Sequence, residues 1–167
     1  MNLEDFLKNK VEWIQQAIDM GDYCVGGPIK LKDDIKYIDN LDMVVDKTRN
    51  LVQKKMLDDN TTWNVSTVLG TLLGEMIIKK HKFKWAINDE DIPVVETKDG
   101  NQLSPITKIY KILTSEEDDE GSPSSFYSGF LALEKLNNMN EEEQKEITTY
   151  WHDGKFIPAT EWKDEEE

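Results

Sequence analysis

Residues 63–104 read WNVSTVLGTLLGEMIIKKHKFKWAINDEDIPVVETKDGNQLS, and the change of period inside this stretch decides the fold class. From Trp63 to His81, Val65, Val68, Leu69, Leu72, Leu73, Met76, Ile77 and Ile78 recur at helical intervals, which predicts the central helix of the chain. From Phe83 the period drops to two. Phe83, Trp85 and Ile87 alternate with Lys84, Ala86 and Asn88, and Ile92, Val94 and Val95 follow after Asp89–Asp91. Asp99-Gly100 then predicts a type I′ hairpin, with Gln102–Ser104 returning as a third strand.

Working outward, the flanks are helical. Leu3, Phe6, Leu7, Val11, Ile14 and Ile18 predict a first helix over 3–20, and Leu41, Val44, Val45, Leu51, Val52 and Met56 a second over 41–57, closed by Asp58, Asp59 and Asn60. Between them Gly21, Gly26, Gly27 and Pro28 break the pattern, with a short strand around Ile35–Ile38. Ser104-Pro105 and Ser122-Pro123 each offer an N-cap followed by proline, so Ile106, Ile109, Tyr110 and Leu113 form one helix. Phe126, Tyr127, Phe130, Leu131, Leu133 and Leu136 form another, to about Asn138. Asn140 with Glu143 makes a capping box for a last helix holding Ile147, Tyr150 and Trp151, stopped by Gly154. The expectation is an α+β fold, five or so helices around a small antiparallel β meander at 83–104. It is a single domain over 1–167, with an N-terminal helical part (1–60), a central part (61–138) and an acidic C-terminal part (139–167).

The chain has 167 residues, long enough for a real core. Its formal net charge of −14 is uneven: residues 111–167 hold 16 Asp and Glu against 5 Lys. Such a surface repels nucleic acid and anionic membrane and steers a basic protein partner. The partner-binding candidates are therefore Glu116, Glu117, Asp118, Asp119 and Glu120, with Glu141 and Glu142 at the start of the last helix. The plain alternative is a solvated, solubilising loop. A lone Cys24 excludes an internal disulfide and points to a reducing compartment, and no apolar run is long enough for a signal or a span, so a cytoplasmic location is expected.

Candidate chemistry is thin. Glu75 on the central helix could act as a catalytic carboxylate, with His81 beside it, in a small hydrolase. Its plain reading is an ion pair with Lys79 four residues on, or solvation. His81 and His152 lack metal-ligand spacing, Cys24 has no partner identifiable by spacing, and Gly26-Gly27 lacks the residues of a phosphate loop. No catalytic residue, metal or cofactor is expected. Gly70 and Gly74 lie on one helix face and predict a close approach by a neighbouring backbone, or alternatively a dimer seam, leaving monomer and homodimer both open.

Residues 69–113, with the pair Phe126 and Tyr127, resemble a bacterial family of unknown function that carries LG-x3-GE on a helix, a Trp opening a strand, and a Pro followed by a KxYK element. The matching positions are Leu69, Gly70, Gly74, Glu75, Trp85, Pro105, Lys108 and Lys111. Small acidic proteins of this kind lie beside secreted toxins as presumed immunity proteins. The resemblance implies an immunity protein. Joined to the acidic C-terminal half, it gives the expectation of a non-enzymatic protein that neutralises a basic toxin by occluding its active site, with the small hydrolase using Glu75 as the alternative. It assigns no catalytic residues.

Overall fold

A computed structural model describes residues 1–23, 28–138, 151–152 and 155–156. Among them the fold is α+β, with five α-helices and a three-stranded antiparallel meander. The chain divides into two compact units, Met1–Tyr127 and Ser128–Glu167.

The first unit is built around α3 (Asp59–His81). Its residues Val68–Ile77 are all buried, and a helix buried on every side lies in the middle of a core. The hydroxyls along it can go inside because each donates one turn back: Thr62 to the Asp58 carbonyl at 2.8 Å, Ser66 to Thr62 at 2.7 Å and Thr71 to Thr67 at 2.6 Å. Around it pack α1 (Leu3–Asp22), α2 (Ile38–Gln53) and α4 (Pro105–Thr114). Phe6, Leu41, Leu69, Leu72, Leu73, Met76 and Ile109 are fully buried in the resulting core.

Three local details differ from expectation. Asp58 does not close the second helix but opens α3: its carboxylate accepts the Thr61 N–H at 2.7 Å, which holds its pKa below the usual carboxylate value. Residues Ile35–Tyr37 form a 3₁₀ turn rather than a strand, because Asp34 accepts the Lys36 N–H through its side chain and the Tyr37 N–H through its carbonyl. The second helix accordingly starts earlier, at Ile38, and stops at Gln53, where Lys55 takes a left-handed φ of 57°.

The meander comprises β1 (Lys84–Ile87), β2 (Pro93–Glu96) and β3 (Gln102–Leu103), in the order β1-β2-β3. Its second turn is not type I′. Gly100 N–H bonds to the Thr97 carbonyl and Thr97 N–H to the Asn101 carbonyl, with only Gly100 at positive φ, +83°. This is a type I turn closed by a bulge. The β1–β2 turn has the same bonds, from Asp91 to Asn88 and from Asn88 to Ile92, with Asp91 at φ +61° in the left-handed position.

The two central glycines are used inside the chain. A Cβ on Gly70 would lie 2.5 Å from the Cα of Ile106 in α4, and one on Gly74 would lie 2.1 Å from the Trp85 indole. The close backbone approach is real at Gly70, whereas at Gly74 the neighbour is a side chain. The space at both glycines is thereby filled from within the chain, which removes this pair as a dimer seam. Gly70→Ala is expected to lower unfolding stability by about 2 kcal/mol, since overpacking against backbone costs about 3 and the helix gains about 1. The shift in denaturation midpoint at unchanged slope measures it.

The last helix, α5 (Pro123–Asn137), begins in the first unit. Ser122 and Ser125 cap it reciprocally: the Ser125 N–H donates to Ser122 Oγ at 3.2 Å and the Ser122 N–H to Ser125 Oγ at 2.8 Å. Ser104, expected to cap α4 the same way, makes no side-chain cap bond. In the second unit, β4 (Trp151–His152) pairs antiparallel with β5 (Lys155–Phe156), so Trp151 is a strand residue and not part of the expected last helix. The rest of that helix, residues 140–150, lies outside the described residues, as do Glu141, Glu142 and Cys24.

Candidate functional site

The acidic loop at 116–120 follows the C-terminus of α4, where a helix leaves carbonyls without intrahelical partners. Arg49 on α2 supplies them. Its Nε donates to the Ile112 carbonyl at 3.1 Å, Nη2 to the Ser115 carbonyl at 2.8 Å and the Glu117 carbonyl at 3.3 Å, and Nη1 to Asp118 Oδ1 at 2.7 Å. One turn on, Gln53 Nε2 donates to the carbonyls of Leu113 and Ser115 at 3.1 and 3.0 Å. A planar guanidinium with several fixed donors does this where an ammonium could not. Arg49 is the only arginine in the chain, a compositional signal that could have marked it.

The loop is thus pinned, and the five candidate acids divide into two sets. Asp118 pairs with Arg49, and Glu120 pairs with Lys108 on α4 at 3.1 Å. Those two carboxylates hold the loop to the body. Glu116, Glu117 and Asp119 are exposed, and among the described residues only Asp119 of the three has a side-chain bond, from Ser115 Oγ at 3.0 Å. Asp42 and Asp46 on α2 add negative charge beside them, around a small cleft of about 100 Å³ also lined by Arg49, Glu117, Asp118 and Glu120. Asp42 is itself committed to α5, accepting the Ser124 N–H at 2.9 Å and the Ser124 hydroxyl. The arrangement holds the loop backbone in place and presents exposed carboxylates to solvent. It can attract and orient cations.

Glu75 is neither solvated nor paired with Lys79. It is 7% exposed, and its Oε1 accepts from Lys10 Nζ at 3.2 Å and Oε2 from Trp85 Nε1 at 2.9 Å. One carboxylate therefore joins α1, α3 and β1. Lys79 pairs instead with Asp33, whose hydrogen bond raises the lysine pKa above its usual value. Beside Glu75 runs a groove of about 400 Å³ lined by Lys10, Val11, Ile14, Ile18, Lys32 and Lys79. His81 is elsewhere on the helix. Six residues from Glu75, it lies about 9 Å along the axis and on another face, with Nε2 2.8 Å from the Tyr127 hydroxyl and its ring stacked on Phe83 at 5.2 Å. Glu75 and His81 are committed to separate partners. Among the described residues, no group of three His, Cys, Asp or Glu side chains could hold a metal ion, and no helix is long and apolar enough to cross a membrane.

No family model, no curated protein and no solved structure matches the chain.

Proposed function

We propose that this chain is a non-enzymatic acidic binding protein, a cytoplasmic immunity protein that docks on a basic toxin and occludes its active site. The observation that carries this reading is the pinning of the 116–120 loop by Arg49 and Lys108, which leaves Glu116, Glu117 and Asp119 exposed with no ion-pair partner among the described residues. Holding the loop backbone in place before encounter reduces the ordering cost of association, and the exposed charges on it speed steering. The resemblance of residues 69–113 to toxin-associated proteins supports the choice of partner. Glu141 and Glu142 enter this proposal by their charge in the sequence alone.

The test separates recognition from scaffold. Glu116→Gln, Glu117→Gln and Asp119→Asn together remove three outward charges and leave the Asp118–Arg49 and Glu120–Lys108 pairs in place. A purified basic partner, recovered at low salt from the source cell, is expected to bind this variant at least ~10-fold more weakly, and wild type progressively more weakly as salt rises. Affinity unchanged by both the substitutions and salt sinks the proposal, as does turnover of a substrate by the purified chain.

A further inference from the structure

β1 lies at the edge of the meander, and its outward-facing main chain has no hydrogen-bond partner among the described residues. The register puts Lys84 opposite Glu96, Ala86 opposite Val94 and Ile87 opposite Pro93, and the Asn88 N–H donates to the Ile92 carbonyl at 3.0 Å. In an antiparallel pair alternate residues exchange bonds with the neighbour. Residues 84, 86 and 88 therefore turn their main chain toward β2, and Trp85 and Ile87 turn theirs away. Pro93, which has no N–H, sits where this pattern needs none.

An open edge is a template for another strand, and the charges along it select which one. Lys82 stands just ahead of β1, and Lys84 opens the strand, its Nζ 3.8 Å from Glu96 of β2; just past its end stand Asp89, Glu90 and Asp91, and all five are exposed. The strand is thus basic at one end and acidic at the other, so its electrostatic complement is its own antiparallel copy. We propose that β1 pairs with β1 of a second copy of this chain about a two-fold axis at Ala86, joining two meanders into one continuous sheet. In that register Trp85 of each chain faces Ile87 of the other. Both open positions of each strand are used, giving four main-chain bonds, and a Lys82–Lys84 end meets an Asp89–Asp91 end twice. Ala86 faces Ala86 on the axis, in a non-bonded pair where Cα atoms approach to about 4.5 Å and a small side chain fits. A register centred on Ile87 would instead require Asp89 to act as a strand residue, and the turn with Asp91 at φ +61° prevents it.

Sedimentation equilibrium of the full chain at moderate salt tests the pairing. Wild type is expected to show a reversible mass of two chains at high protein concentration. Ile87→Pro removes an N–H that makes no bond to β2, the mirror of Pro93, so the fold stays and the dissociation constant rises at least ~10-fold. Lys82→Glu should weaken the dimer, and Lys82→Glu with Glu90→Lys should restore it. Circular dichroism checks folding; if Ile87→Pro unfolds, the charge pair decides. A wild type that stays monomeric, leaving the edge to a strand of another protein, overturns the proposal. So does a dimer indifferent to Ile87→Pro or one that the double reversal fails to restore.

Discussion

Arg49→Ala should lose about 3 kcal/mol of unfolding stability and release the acidic loop. The guanidinium satisfies the Ile112 carbonyl, in a residue 4% exposed, and shares the Ser115 carbonyl just beyond it with Gln53. Stranding buried acceptors costs about 1–3 kcal/mol each, and bonds to charged donors sit at the upper end. The ion pair with Asp118 adds little to this sum, because that carboxylate is 90% exposed and such pairs contribute about 1 kcal/mol or less. Arg49→Lys should recover less than half of the loss, since one ammonium cannot span four acceptors. Chemical denaturation gives the stability, and limited proteolysis at 115–122 reports the loop. A stable variant with an uncleaved loop would show that Gln53 alone carries the α4 terminus.

Glu75→Ala should cost about 3–4 kcal/mol, and Glu75→Gln about 1–2. Removing the carboxylate strands the Trp85 indole N–H, in a residue 6% exposed, and leaves Lys10 without its anion, and breaking a pair of this kind typically costs about 3–5 kcal/mol when buried. Lys10 retains 23% exposure, which places the loss at the lower end. Glutamine keeps its one oxygen for the indole but turns an NH2 donor toward Lys10, so it gives up the charge and the bond to Lys10 while the indole stays satisfied. The ordering Ala worse than Gln, measured by denaturant midpoints, identifies a structural hub. Equal losses would mean that the charge alone matters and that the indole bond is dispensable.

Much of the architecture follows from periodicity because each element must bury one face. The helical spacing of Leu3–Ile18, Leu41–Val52 and Val65–Ile78, the alternation at 84–87 and the proline at the first position of α4 and α5 all state a local preference that packing then reinforces. Element ends were less legible. Asp58 suits the end of one helix and the start of the next, and only the Thr61 N–H it accepts decides between them. Likewise Asp99-Gly100 favours a turn, but whether one or two residues take positive φ depends on how β3 returns to β2.

The candidate site shows the same division. The sequence by itself determined that charge concentrates at residues 116–120, that α3 is the core helix and that Gly70 needs a close neighbour, since each is a matter of composition or spacing along one element. Only the tertiary structure decided that Asp118 and Glu120 hold the loop to Arg49 and Lys108 while Glu116, Glu117 and Asp119 face outward. It also decided that Glu75 answers Lys10 and Trp85 rather than Lys79. Partners 69, 65 and 10 residues apart are chosen by which surfaces the core brings together, and no local pattern encodes that choice.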